Sequence, residues 1–223
     1  MNSGALIFDL DGTLVNSVPV CTEIINYMLD ARGSQWRLTN ENTRSYVSVG
    51  GHAMLRALLG EYYRDATDDV AEFRARYACM PTPADALFPE VRETLEWLLE
   101  RNLRLSICSN KPQALCEKIL RDLSLDSLFE VVVGGDRFPF AKPDPRHLGV
   151  VLRDLELGVN DAIYVGDSEI DHQLARNAGV EFVYVLHGYG NQSAIPEDIV
   201  RLDRFSSLKE CVRTKWGQVQ SLL

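Results

Sequence analysis

The chain predicts an α/β fold, a doubly wound parallel sheet with a Rossmann-like core and an inserted helical cap. Two observations predict it. From about residue 83 onward, short apolar runs alternate with stretches of helical periodicity, the pattern of a parallel sheet covered on both faces. Between the first apolar run and that alternation lies a block, roughly residues 16–82, whose periodicity is helical throughout.

The elements follow in order. Ala5, Leu6, Ile7 and Phe8 read as a fully buried strand that Gly12 lets turn sharply. Cys21, Ile24, Ile25, Met28 and Leu29 keep the spacing of an amphipathic helix; Met54, Ala57 and Leu58 suggest a second, and Val70, Phe73 and Tyr77 a third. Met80-Pro81-Thr82-Pro83 reads as a linker, because two prolines cannot continue a helix. Helices are then marked by Val91, Leu95, Leu98 and Leu99, by Cys116, Ile119, Leu120 and Leu123, by Leu148, Val151, Leu152 and Leu155, and by Ile170, Leu174 and Ala178. Strands are expected at Leu103–Cys108, Phe129–Val133, Ala162–Val165 and Phe182–Leu186, the last clear one. The domain expectation is therefore a core of residues 1–15 and 83–213, a cap of 16–82, and an uninformative tail of 214–223, docked helix or loose end.

Composition narrows the function. At 223 residues the chain buries a full core, and 46% hydrophobic with 25% charged residues is ordinary for a soluble globular protein. A net charge of -9 argues against nucleic acid, whose binding needs a basic face. No apolar stretch approaches a membrane span, and the N-terminus lacks the pattern of a signal peptide, so a cytoplasmic location and no membrane partner are expected. Five scattered cysteines without a C-x-x-C pair read as reduced, mostly buried small hydrophobes, and the isolated histidines argue against zinc. His172 reads as an exposed helix residue.

In such a sheet ligands bind where the strands end. Asp9 and Asp11 end the first strand, and its period of two sends both to one face. Ser109 and Asn110 end the second strand, Asp167 ends the fourth after Gly166, and Asp171 lies one helical turn on. Lys142 lies in the Pro-flanked loop Phe140-Ala141-Lys142-Pro143-Asp144-Pro145. Asp9, Asp11, Asp167 and Asp171 face Lys142 alone, which is strongly unfavourable in a partly dry crevice. A hard divalent cation resolves the conflict, and Mg²⁺ suits a site of few carboxylates plus a substrate phosphate. Such a metal shields phosphate charge so that a carboxylate attacks phosphorus, with Ser109 and Asn110 hydrogen-bonding phosphate oxygens and Lys142 offsetting charge in the transition state.

Simpler readings exist for each motif. An Asp-x-Asp pair is often a solvated turn or a calcium loop, but an EF-hand needs glycine and glutamate where this chain has Leu14 and Val20. Asp167 and Asp171 also suit a helix N-terminus, and Ser109-Asn110-Lys111-Pro112 a helix start. In the cap, Arg44 has the chemistry to hold a substrate carboxylate, and Val49-Gly50-Gly51 to let backbone approach the substrate; a surface charge and a helix break are the alternatives.

Together FDLDGTLVNS, SNKP, AKPDP and VGDSEID resemble the four motifs of the haloacid dehalogenase superfamily, in its order and spacing from residue 5 to about 210. VGDSEIDHQLARNAGV and HGYGN are most similar to its phosphoglycolate phosphatase-like branch, as is a helical insertion directly after the first motif. The resemblance implies that Asp9 is the nucleophile forming an aspartyl-phosphate and that Asp11 is the general acid, then base. It implies a metal on Asp9, Asp167 and the backbone carbonyl of Asp11, with Asp171 steadying that shell and Lys142. Ser109, with backbone amides near Asp11 and Asn110, would cradle the phosphate. Asn16 departs from the aspartate of many relatives, and Ile170 from the asparagine of some; both bear on substrate orientation. Family dehalogenases generally lack the second aspartate and phosphonate-cleaving relatives use a cap lysine, which this cap lacks. The expected function is thus a Mg²⁺-dependent phosphatase of small phosphorylated metabolites, phosphoglycolate-like. A sugar-phosphate mutase and a non-catalytic binding protein on the same core are the alternatives.

Overall fold

The computed structural model describes residues 4–47 and 50–217. Five strands of the expected sheet are present, with a sixth, in the order β3-β2-β1-β4-β5-β6 and with every neighbouring pair parallel. They are β1 (Ala5–Phe8), β2 (Arg104–Cys108), β3 (Val131–Val133), β4 (Ala162–Gly166), β5 (Glu181–Val185) and β6 (Val200–Leu202). The helices of the described residues are α1 (Val18–Ala31), α2 (Asn40–Val47), α3 (Gly51–Leu59), α4 (Ala66–Cys79), α5 (Val91–Leu99), α6 (Gln113–Asp122), α7 (Pro145–Asp154), α8 (Glu169–Ala178) and α9 (Leu208–Trp216).

The period of two divides the strands between two apolar layers. Leu6, Phe8, Leu105, Ile107 and Ile163 meet α5, α6 and α9 on one face through Leu95, Leu98, Ile119, Leu120 and Leu208. Ala5, Ile7, Tyr164, Phe182 and Tyr184 meet α7 and α8 on the other through Leu148, Val151, Leu152 and Leu174. The chain runs outward from β1 in both directions, so the topological switch point lies between β1 and β4.

Helices α1 to α4 form the insertion after β1 and pack on one another. Its two connections are paired where they cross: Asn16 N donates to Ala86 O at 2.7 Å and Phe88 N to Leu14 O at 3.0 Å, and Val15 bridges Leu87. Inside the insertion, Arg32 reaches Asp69 at 2.8 Å, Glu72 at 2.7 Å and the Tyr62 carbonyl at 2.8 Å, while Asp69 also accepts from Arg64 N at 2.8 Å. The Arg32 and Asp69 side chains are only 5% and 1% exposed, so neither charge has water to replace its partner. Asp69→Ala is therefore expected to lower stability by about 1–3 kcal/mol in denaturant unfolding, because the Arg64 amide and one side of Arg32 lose a buried acceptor while Glu72 keeps Arg32 paired.

The structure differs from the sequence expectations at several elements, besides one-residue shifts at the start of β2 and the end of β4. Helix α2 was not expected, because in NENTRSYV only Thr43 is buried and no apolar stripe marks it. A signal was present in Thr39 and Asn42, whose side chains cap that helix reciprocally. Strand β6 is a three-residue edge with two exposed residues, too short to carry a period. Strand β3 starts at Val131 instead of Phe129, whose ring packs edge-on against Phe8 at 6.4 Å. Strand β5 is shifted back by one residue, to Glu181–Val185. His172 is half-buried, its ring 5.6 Å from that of Phe182. Thr214 to Trp216 close α9, whereas 218–223 lie outside the described residues. Among the described residues no helix is long and apolar enough to cross a membrane.

Candidate active site

The carboxyl ends of β1, β2 and β4 open into a cleft of about 190 Å³ beneath the helical insertion. Asp9 follows β1 and is anchored by its amide, which donates to Val165 O at 2.9 Å. Asp167 follows β4, and Asp171 sits in the first turn of α8, where Ser168 caps the helix. All three are buried, and each offers an oxygen within 4.8 Å of the others'. Gly12 and Gly188 let this happen: a Cβ would lie 2.3 Å from Asp167 Oδ2 at Gly12 (φ +83°) and 2.1 Å from Asp167 Cβ at Gly188.

Both oxygens of Asp171 are committed within the protein. Oδ2 accepts from Ser168 Oγ at 2.6 Å, Ser168 N at 3.0 Å and Asp167 N at 3.2 Å. Oδ1 lies 2.7 Å from Lys142 Nζ and 2.9 Å from the Tyr164 hydroxyl. Asp171 therefore acts as a buttress for Lys142 and the β4–α8 loop. Lys142 is 3% exposed and also lies 2.9 Å from Asp9 Oδ1, but off the hydrogen-bond direction, which leaves that buried oxygen with an ion pair and no hydrogen bond. Burial alone would lower the Lys142 ammonium; the charges of Asp171 and Asp9 raise it above its ordinary value.

Close approach and burial disfavour the ionised form of these carboxylates. Burial pushes Asp9 up from 3.8 to about 6, against the pull of Lys142, with Asp171 adding to the rise. Burial, then the charges of Asp171 and Asp9, hold Asp167 well above its ordinary value. An Asp9 oxygen that accepts no hydrogen bond and an all-oxygen donor set fit a hard divalent cation. In the metal-free protein a carboxyl raised this way contributes stability at low pH that is lost as pH rises from 3.8 through about 6. Mg²⁺ should accordingly raise the melting temperature more at about pH 7.5 than at about pH 5, where it must displace protons.

Asp11 takes a different position. Its carboxylate is turned to Lys111, whose ammonium lies 3.0 Å away, and is not part of the three-carboxylate cluster. The expectation of four carboxylates against Lys142 alone is thus corrected: Lys111 is a second buried cation in the cleft. Its sequence context read as a helix start, and a long side chain gives no direction from sequence. Ser109 is buried beside Asp9, its hydroxyl pulling the Asp9 carboxyl down. Asn110 spends both ends of its amide on the Lys142 backbone, at 2.8 and 3.1 Å, so its side chain holds the lysine loop and only its main chain is left for a phosphate.

From the insertion, Gly50 and Gly51 line the cleft, while Val49 lies outside the described residues. Arg44 does not line it; its guanidinium donates to His187 O at 2.7 Å and Gly188 O at 2.6 Å, across to the loop after β5. Arg74 of α4 does line it, and was legible: positions 70, 73, 74 and 77 share one helix face. Tyr189 was also missed. Its amide donates to Asp167 Oδ2 at 2.7 Å, and its hydroxyl meets Ser17 N and Asn16 Oδ1, both at 2.9 Å. Cys21 lines the cleft as an inert thiol, pushed up to about 12 by burial.

The family model for haloacid dehalogenase-like hydrolases matches residues 6–185. The chain belongs to that family. Phosphoglycolate phosphatase of Rhodobacter capsulatus is 36% identical to this hydrolase over 190 residues, 83% of this chain and 85% of the relative. That of Pseudomonas savastanoi pv. phaseolicola is 33% identical over 200 residues, 86% of this chain and 73% of the relative. Among solved structures, a protein of Haemophilus somnus 129PT predicted to be a phosphoglycolate phosphatase superposes with a TM-score of 0.80 at 25% identity, covering 95% of this chain and 99% of that one. CbbY of Rhodobacter sphaeroides, solved with phosphate, shares the fold at a TM-score of 0.76 and 21% identity, covering 92% and 96%. This hydrolase is accordingly a phosphatase of the phosphoglycolate phosphatase-like branch.

Proposed function

We propose that this phosphatase hydrolyses small, phosphoglycolate-like phosphate monoesters through a phosphoryl group carried on Asp9, with Mg²⁺ in the carboxylate cluster. The observation that carries the reading is the buried Asp9 at the end of β1, paired with Lys142, close to Asp167, and lining the cleft beneath the insertion. The names of the relatives support the substrate class. Residues 16–82 act as the cap on a core of 1–15 and 83–213, with 214–223 as its tail. The free cysteines suit a cytoplasmic enzyme.

In the first half of the reaction an Asp9 carboxylate oxygen attacks phosphorus and the ester P–O bond breaks. Asp11 gives its proton to the departing oxygen. In the second half Asp11 takes a proton from a water that attacks the same phosphorus; the P–O bond to Asp9 breaks, releasing phosphate and restoring the carboxylate. Ser109 donates to a phosphate oxygen with the Asn110 and Asp11 amides, and Lys142 offsets the charge that grows on the phosphoryl oxygens. Asp9, Asp167 and the Asp11 carbonyl would hold Mg²⁺, which supplies the positive charge that lets two anions meet. Asp171 keeps Lys142 and the Asp167 loop in place. The test is inorganic phosphate release from a panel of monoesters, phosphoglycolate included, with Mg²⁺ or with chelator. Mg²⁺-dependent release, ranked highest for small carboxylate-bearing esters, is expected. Release unaffected by chelator, or dependent on a bisphosphate activator, would overturn the reading.

A further inference from the structure

One partner of Asp11 has no part in the steps above. Both carboxylate oxygens of Asp11 lie within 3.1 Å of the Lys111 ammonium. The Lys111 side chain is 8% exposed and that of Asp11 21%, so this is not a solvated surface pair of small consequence. Asp11 is the only carboxylate within ion-pair distance of Lys111 among the described residues. The same ammonium lies 4.1 Å from the ring centroid of Tyr77 on α4, in cation–π contact. One buried cation thus joins a carboxylate of the β1 turn to a helix of the insertion.

The backbone that carries Lys111 is itself held. Its amide donates to Ser109 Oγ at 3.3 Å, and its carbonyl accepts from Gly135 N at 2.8 Å. The next strand's exit presses against this loop so closely that a Cβ at Gly135 would lie 2.4 Å from Asn110 O, and one at Gly134 2.9 Å from Lys111 O. Lys111 therefore projects from a fixed base, and the contact it makes with Asp11 restrains Asp11 more than it restrains Lys111.

We propose that Lys111 is a positioning residue: it holds the Asp11 carboxylate in place for proton transfer and, through Tyr77, ties that placement to α4. The proposal rests on Asp11 as the proton donor and acceptor. A carboxylate on a turn has two side-chain torsions to settle, and proton transfer demands hydrogen-bond reach of the departing oxygen. The ammonium settles them before substrate arrives; once Asp11 has taken up a proton from solvent, one oxygen stays on Lys111 and the other carries that proton toward the departing oxygen. Because the ammonium also lies against Tyr77, the arrangement is complete only with α4 over the cleft, so that the acid is set where water is excluded.

The test compares phenyl phosphate with 4-nitrophenyl phosphate, whose leaving group departs with little help from a proton. Lys111→Met should lower kcat about tenfold for the phenyl ester and about twofold or less for the nitrophenyl ester, with KM little changed. Lys111→Arg, which keeps the charge, should restore part of the loss and serves if the methionine variant folds poorly. Asp11→Asn should widen the gap between the esters at least as much, and adding Lys111→Met to it should change nothing further. An equal fall on both esters, a raised KM with unchanged kcat, or additive effects in the double variant would overturn the role of Lys111 alone. If Asp11→Asn leaves the ester ratio untouched, the reading of Asp11 falls and the proposal with it.

Discussion

Asp9→Asn is expected to abolish phosphate release, by at least about 10³-fold in kcat, while the protein stays folded. The amide is the same size as the carboxylate but is no nucleophile toward phosphorus. The substitution should also change stability in a direction that sets it apart from a packing defect. Asp9 is buried and pushed up to about 6, so at neutral pH its ionised form is a burden on the metal-free fold. Removing that charge should raise the melting temperature without Mg²⁺ and shrink the shift that Mg²⁺ produces. Circular-dichroism melts beside the phosphate assay read both effects. An inactive variant that is also less stable would point to misfolding instead.

Lys142→Met is the second large effect. The ammonium lies between Asp9 and Asp171 at 2.9 and 2.7 Å, almost fully buried. Taking it away leaves two buried carboxylates facing each other, and stability should fall by about 3–5 kcal/mol at neutral pH. Protonation relieves the conflict, and Lys142 is one of the groups that pull Asp9 down to about 6; without it Asp9 takes up its proton at higher pH, so the loss should shrink as pH falls from alkaline values toward about 6. Activity should fall by at least about 10²-fold, since the cation that offsets charge on the phosphoryl oxygens is gone. Urea unfolding across that pH range gives the first result and steady-state kinetics the second. A loss of stability that does not vary with pH would mean that Lys142 packs rather than pairs.

What the sequence revealed and what it hid divide along physical lines. The sheet was legible because buried parallel strands must be apolar runs and their helices must carry a stripe, as Leu148, Val151, Leu152 and Leu155 do. The acidic cluster was legible because strand ends in this topology converge, so Asp9 and Asp167 meet however far apart they stand in sequence. Helix α2 was hidden because it buries almost nothing, and β6 because a three-residue edge has no period. Lys111, Arg44 and Tyr189 were hidden for a different reason. A long side chain reaches a partner that only three-dimensional packing defines. Arg44 illustrates it: the chemistry suited a substrate carboxylate, and the guanidinium is spent on the carbonyls of His187 and Gly188.

The central claim is that Asp9 carries the phosphoryl group. Acid quenching during turnover with Mg²⁺ and substrate, borohydride reduction and peptide mass spectrometry tests it directly, because an acyl phosphate is reduced to the alcohol and a free carboxylate is not. The account predicts homoserine at position 9, dependent on substrate and absent in Asp9→Asn. An unmodified Asp9 in enzyme that is turning over, with the label on another residue or on none, would contradict it.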